Sequence, residues 1–252
     1  MKLEKMVAIV TGGANGIGRA TAIRLAREGA DVVVADIDLE QANKVVNEIE
    51  ALGRRGIAIK GDVSKSEEVK AMANTALDKF GRVDILVNNA GGSARGRSSF
   101  FKDSTEEVWD HVLSTNLKGV LNCTRVVINH MIERQSGKVV NIASCAGVVG
   151  DVKVADYAAA KAGIIGFTMS LAKEVARYGV NVNCVSPGPI ETEGLGRLLS
   201  PESMEKMKRT TGLGRLGQPE DIAAMVAFLV SDDANFITGQ NYVVGGLRNL
   251  GI

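Results

Sequence analysis

The feature that most narrows the fold is a rhythm. Seven short apolar runs rich in valine and isoleucine recur along the chain, separated by polar turns and helical stretches. The runs are Met6–Val10, Val32–Ala35, Ile57–Ile59, Ile85–Val87, Val139–Ile142, Val180–Val185 and Tyr242–Val244. They are apolar apart from Asn141, Asn181 and Asn183, so each strand is expected to be buried on both faces. That needs helices above and below a parallel sheet, which predicts an α/β, doubly wound Rossmann fold. Ser64 with Glu67 and Ser104 with Glu107 stand at capping-box spacing. Gly29, Gly53, Gly81, Gly137 and Gly179 each follow a helical stretch and precede a run, where a left-handed cap is wanted. No linker, charge block or low-complexity tract interrupts the pattern, so residues 1–252 read as one domain.

Composition then excludes several classes of function. Thirty Lys and Arg against 29 Asp and Glu give a net charge of +1, which supplies no basic field for nucleic acid or an anionic membrane. The apolar runs are too short for a membrane span or a signal peptide. Cys123, Cys145 and Cys184 lie far apart with no CxxC pair, which points to free thiols in a reducing, cytoplasmic compartment. His111 and His130 fit no metal or triad spacing, and no metal is expected.

All four prolines fall in the last third. Pro219 reads as the first residue of a helix, with Glu220 and Asp221 beside the positive end of its dipole. The stretch from Pro187 to Gly217 breaks the rhythm and carries Gly194, Gly196, Gly212 and Gly214. Within it, residues 189–217 read as a substrate lid, the alternative being an ordinary surface loop.

Thr11-Gly12-Gly13-Ala14-Asn15-Gly16-Ile17-Gly18 joins the first run to the first helix. A strand-to-helix turn without side chains lets backbone N–H groups and a helix N-terminus approach a pyrophosphate, although tight turns use glycine anyway. The second strand ends in Asp36, near the spacing of a carboxylate that binds an adenosine ribose. Asp38, with Gln41 three residues on, is better placed to cap the next helix. A carboxylate accepts hydrogen bonds from ribose hydroxyls, about 1.5–3 kcal/mol each. It repels a 2′-phosphate, and neither Asn15 nor Ile37 supplies a compensating cation. NAD(H) is therefore expected over NADP(H).

Tyr157-Ala-Ala-Ala-Lys161 opens a helical stretch that runs to Tyr178. Spacing i, i+4 puts the phenol and the ammonium on one helix face. Bringing a phenol from about 10 to about 7 takes roughly 4 kcal/mol of phenolate stabilisation. A cation at ~4 Å supplies about that much only where water is partly excluded. An accidental pair on a packing helix is the competing reading of these two residues alone. Ser144 lies just beyond the fifth run, at the carboxyl end of the sheet where open α/β proteins hold ligands. Asn88-Asn89-Ala90-Gly91 closes the fourth run at the same edge, and Asn116 stands inside a helical stretch that an amide does not favour.

Taken together, TGGANGIG, NNAG, Asn116, Ser144, Tyr157 with Lys161, and Ser186-Pro187-Gly188 resemble the short-chain dehydrogenase/reductase family in order and spacing, over essentially the whole chain. The resemblance implies a seven-stranded parallel sheet and a homotetramer. It implies Tyr157 as acid/base, Lys161 lowering its pKa and holding the nicotinamide ribose, Ser144 positioning the reacting oxygen, and Asn116 supporting a proton relay. Gly12, Asn15, Gly16, Ile17, Gly18, Asp36, Asn89, Ala90 and Gly91 would border the cofactor. Asp62 and Val63 would lie beside the adenine, and the segment holding Pro187, Gly188, Ile190 and Thr192 would grip the carboxamide. Val244 stands before Gly245-Gly246 where many relatives carry Asp, a departure that bears on subunit packing.

The implied activity is hydride transfer between NAD(H) and a small-molecule secondary alcohol or ketone, cyclic or hydroxyacyl in type. The alternatives are a 3-oxoacyl-carrier-protein or acyl-CoA reductase, normally NADPH-preferring and so disfavoured by Asp36, and a non-catalytic NAD-binding regulator. Arg95, Arg97 and the Phe100-Phe101 pair in the loop 92–101, with Arg197 in the lid, suit either an acidic substrate group or a solvated basic loop.

Overall fold

In a computed structural model that describes residues 1–93, 97–196 and 200–247, the seven apolar runs form one seven-stranded sheet. The strands are β1 (Val7–Thr11), β2 (Asp31–Asp36), β3 (Gly56–Lys60), β4 (Ile85–Asn88), β5 (Gly137–Ile142), β6 (Val180–Pro187) and β7 (Asn241–Val244). Their order is β3-β2-β1-β4-β5-β6-β7, and every neighbouring pair is parallel. The chain runs outward from β1 to β3 and then crosses to β4. This puts the topological switch between β1 and β4, where a crevice opens at the carboxyl ends of the strands.

Alternate residues of the inner strands serve opposite faces, so most of them carry no polar side; the exception is β6, whose Asn181 and Asn183 donate to the Ile237 carbonyl. Ala8, Val10, Val32, Val34, Ile85 and Val87 pack with α1 (Gly16–Arg27), α2 (Leu39–Ala51) and α10 (Pro219–Val230). Ile9, Val33 and Leu86 pack with α3 (Ser66–Phe80), α5 (Gly119–Glu133) and α7 (Ala155–Val175). Each fully buried aliphatic side chain contributes about 1.5–3 kcal/mol of transfer free energy, so the two cores fix the register of every inner strand. Four further helices are α4 (Glu106–Leu113), α6 (Ala146–Val149), α8 (Glu193–Gly196) and α9 (Pro201–Arg209).

Helix ends follow the sequence less closely than strands do. Asp38 caps α2 by accepting from the Gln41 N–H at 3.1 Å, and Pro219 opens α10 with a Gln218/Asp221 capping box. Neither of the two Ser/Glu boxes forms. Ser64 donates to Asp62 instead, while Glu68 accepts from the Asp62 N–H. Ser104 is taken by the Phe101 carbonyl and the Trp109 indole. Gly137 is no cap either. It begins β5, and a Cβ there would lie 2.6 Å from the Met131 sulfur; the left-handed residue is Gln135, at φ +52. Residues 189–217 are less irregular than expected, since α8 and α9 lie within them. Arg95 and Arg197 lie outside the described residues.

Candidate active site

The glycine turn is built into the sheet from both sides. Thr11 Oγ1 donates to the Val87 carbonyl and accepts from the N–H groups of Asn89 and Ala90, both at 3.1 Å. Asn89 Nδ2 in turn donates to the carbonyls of Thr11 and Gly12. Asn89-Ala90-Gly91 is thereby clamped onto the turn that opens α1. Gly12 sits at φ +61, where a Cβ would lie 2.8 Å from Ala90 Cα, and a Cβ on Gly18 would lie 1.9 Å from the Gly12 carbonyl oxygen. No side chain fits at either position, so this turn presents backbone alone, at the positive end of a twelve-residue helix. Asn15 is the helix N-cap and Ile17 lies in the first turn.

Asp36 ends β2 beside that turn. One carboxylate oxygen accepts from the Ala14 N–H and the other from the Asp38 N–H, both at 3.0 Å. Beyond β3, Asp62 is held by Ser64 and Val63 is buried against Gly119, with its carbonyl accepting from Asn122. Across the crevice, Pro187 ends β6 and accepts from the Cys145 N–H, and the Gly188 N–H donates to Val244. Ile190 is buried, and Thr192 stands 3.2 Å from where a Cβ on Gly16 would be.

The remaining polar residues gather at the same edge. Ser144 lies two residues past β5, its hydroxyl accepting from the Ala146 N–H. Tyr157 lies in the first turn of α7 and Lys161 one turn later. Lys161 is buried; its ammonium donates to the Ile142 carbonyl at 2.9 Å and lies 5.5 Å from the centre of the Tyr157 ring. Asn116 sits in a π-helical turn, Ser114–Lys118, between α4 and α5. Such turns cluster at functional sites because they free backbone groups from the regular ladder. The Asn116 amide donates to the carbonyls of Gly92 and Val112 and accepts from the Gly92 N–H. A Cβ on Gly91 would lie 2.4 Å from Asn116 Oδ1 and 3.5 Å from Lys161 Nζ, so the glycine brings both side chains to the crevice floor.

Electrostatics differ from the simple pairing expected. Burial pushes the Tyr157 phenol above its ordinary value, with a hydrogen bond from Ser144 pulling the other way. Burial also pushes the Lys161 ammonium down, to about 8. The ammonium faces a carbonyl and the flank of the ring, so desolvation outweighs any depression of the phenol by its charge.

Two motif residues have bonding roles that the motifs do not announce, and a third residue lies outside every motif. Thr11 clamps the glycine turn as described. Asn88 donates to Thr124 and Asn141, and Asn141 donates to Thr168, a buried polar chain under the site whose signal is asparagine inside otherwise apolar runs. Lys153 lies at the mouth and belongs to no motif. Among the described residues no cluster of His, Cys, Asp and Glu could hold a metal, and no helix is long and apolar enough to cross a membrane.

The sequence profile of the family described as short chain dehydrogenase matches residues 6–202. The chain is 44% identical over 247 residues to the 3-oxoacyl-[acyl-carrier-protein] reductase FabG of Staphylococcus aureus, covering 98% of each. It is 41% identical over 250 residues to the (2S)-[(R)-hydroxy(phenyl)methyl]succinyl-CoA dehydrogenase subunit BbsD of Thauera aromatica, covering 99% of each. Among solved structures it is similar to levodione reductase, with a TM-score of 0.92, 34% identity and 97% of both chains covered.

Proposed function

The chain belongs to the short-chain dehydrogenase family, oxidoreductases of CH–OH and keto groups that use a nicotinamide cofactor, and from that premise we propose that it interconverts a secondary alcohol and its ketone with NAD(H). The observation that carries this reading is the gathering of Ser144, Tyr157, Lys161 and Asn116 at the crevice beside a glycine turn that admits no side chain.

The residues fit a dinucleotide. Gly12, Asn15, Gly16, Ile17 and Gly18 would meet its pyrophosphate, Asp36 its adenosine ribose, and Asp62 and Val63 its adenine. Asn89, Ala90 and Gly91 would line the middle, with Pro187, Gly188, Ile190 and Thr192 around the carboxamide. When bound, the nicotinamide supplies the acceptor or donor for hydride at the carbinol carbon. Ser144 donates to the substrate oxygen and sets its position. Tyr157, held protonated by burial, gives its proton to the carbonyl oxygen in reduction and, as a phenolate, takes the hydroxyl proton in oxidation, a general acid–base contribution of about 10²–10⁴-fold; the raised phenol pKa favours the reduction direction. Lys161 stays largely charged at neutral pH despite its burial, and a ribose hydroxyl offers that cation a further acceptor. The Asn116 side chain is fully committed to Gly92 and Val112, so its part in a proton relay falls to the main chain of the π-turn.

The similarity to an acyl-carrier-protein reductase and to a CoA-thioester dehydrogenase favours a 3-hydroxyacyl or 3-oxoacyl thioester as substrate. Residues 189–217 would form the lid. Exposed Phe228, Phe236 and Val243 beside β7, and Leu113, Leu121 and Met169 on the α4, α5 and α7 side, support self-association as a homotetramer. Cys123, Cys145 and Cys184 are buried and form no disulfide, which suits a cytoplasmic setting.

The cofactor decides the finer part of this reading. Measured with both dinucleotides, kcat/KM should favour NAD(H) by about tenfold or more, since a 2′-phosphate would meet the Asp36 carboxylate. A preference for NADP(H) contradicts the role given to Asp36. Dinucleotide binding without turnover of any alcohol or ketone would support the regulator instead.

A further inference from the structure

A small cavity lies against the first turn of α7, lined by Ser93, Ser99, Arg97, Phe101, Lys153 and Asp156. It adjoins the proposed acid/base. Val108 both lines the cavity and packs with Tyr157 in one apolar cluster, and Asp156 immediately precedes Tyr157. Ser93 follows Gly92, which is bonded to Asn116. A substrate with its reacting carbon at Tyr157 would have this side of the α7 first turn, with Arg97 and Lys153, within a few bonds' reach.

The charges at this cavity point to an anionic occupant. Arg97 is paired with Glu107 at 2.9 Å, but both side chains are exposed, and an exposed pair of this kind is easily exchanged. The Asp156 carboxylate is turned back to its own helix and accepts from the Tyr157 N–H. Lys153 is exposed, with its ammonium 5.0 Å from the centre of the Phe100 ring, and Asp151 stands two residues before it. An aromatic face holds a cation in place without neutralising its charge.

The backbone adds a second observation. Lys153 occupies φ +67, a left-handed conformation that glycine adopts freely and a lysine does not. Strain of this kind persists where the surrounding structure imposes it, and it gathers at ligand clamps. The turn needs the conformation; it does not need the ammonium.

We infer that Lys153 and Arg97 form an anion subsite that selects substrates bearing a carboxylate within a few bonds of the reacting carbon. This rests on the dehydrogenase reading above and narrows its substrate class. The subsite recognises charge on the acyl part of the substrate, not the phosphates of a thioester handle.

The test uses two short 3-oxoacyl thioesters of N-acetylcysteamine, one ending in a free carboxylate and the other in its methyl ester. N-acetylcysteamine carries no phosphate, so preference for the acid reports the carboxylate alone. The wild-type chain should favour the acid in kcat/KM by about tenfold, chiefly through KM, as a charge-assisted contact implies. That ratio should fall to near one in Lys153→Met and Lys153→Gly and to an intermediate value in Arg97→Gln. Lys153→Gly should melt at the same temperature or higher, because glycine relieves the left-handed backbone; a purely structural lysine would leave the ratio untouched. A wild-type ratio near one, or a ratio that survives both Lys153 substitutions, overturns the inference. Failure of the dehydrogenase reading looks different: the methyl ester is not turned over at all, or its turnover survives Tyr157→Phe, and the subsite falls with it.

Discussion

Lys161 is the residue at which stability and the proposed chemistry pull apart. Its ammonium is buried, with one carbonyl as its hydrogen-bond acceptor, and its pKa stands at about 8 against an ordinary 10.5. The difference means that the folded chain loses about 3 kcal/mol by holding the charge. Below about pH 8 the lysine is charged in both folded and unfolded chains, so the penalty is fully present. As pH rises from about 8 to 10.5 the folded chain sheds its proton first, and the penalty disappears. Relative to Lys161→Met, the wild type should therefore gain stability over that window, read by urea unfolding at a series of pH values. A flat difference would show that the charge is better solvated than its burial indicates. At neutral pH the methionine variant should be as stable as the wild type or more so, and slower by at least about tenfold. Tyr157, Lys161 and Ser144 were legible because spacing along one helix, and position just past a strand, are properties of the sequence. Lys153 was not, because left-handed backbone at a lysine leaves no trace in composition or periodicity.

At the scale of elements, strands were easier to read than helix ends. Strands buried on both faces are mostly apolar, and all seven runs became strands within a few residues of their expected limits, although the edge strands β3 and β7 are only half-buried and not covered on both faces as expected. A cap depends on which of several nearby acceptors wins, and Asp62 and Trp109 won Ser64 and Ser104 from the expected boxes. The π-turn at Asn116 was invisible for a related reason, since it is set by the amide's bonds to Gly92 across the crevice. The amino edge of the sheet has its own polar tie that no motif announced. Asp84 is buried and accepts from the Val7 N–H at 2.9 Å and from both Arg82 and Arg134, joining β1, β4 and the end of α5. Asp84→Ala leaves an N–H and two guanidiniums short of an acceptor. It should lower the unfolding free energy by about 3 kcal/mol, the low end of the range for breaking a buried pair, because both arginines keep some solvent access. This edge lies opposite the crevice, so kcat at a permissive temperature should be close to wild type. A stability change under about 1 kcal/mol would mean that solvent already shares these arginines.

For the whole molecule, parallel strands with right-handed crossovers leave few ways to arrange seven βα units, and the switch between β1 and β4 fixes where a dinucleotide can lie. What the sequence could not display was how the two ends of the crevice meet. That is set by the Thr11 clamp, by glycines packed too tightly for a Cβ, and by Gly91 lying against Asn116 and Lys161. If the proposed tetramer forms over the apolar residues exposed around β7 and along the α5 side, sedimentation equilibrium should give about four times the 26.6 kDa of one chain. A monomer at micromolar concentration would contradict the proposed assembly. Tyr157→Phe separates proton transfer by Tyr157 from dinucleotide binding by the rest of the crevice. Turnover of a secondary alcohol or ketone should fall by at least about 10²-fold, while NADH titrated into the variant still binds with near wild-type affinity by its fluorescence. Near-normal turnover in that variant would rule out Tyr157 as the acid/base.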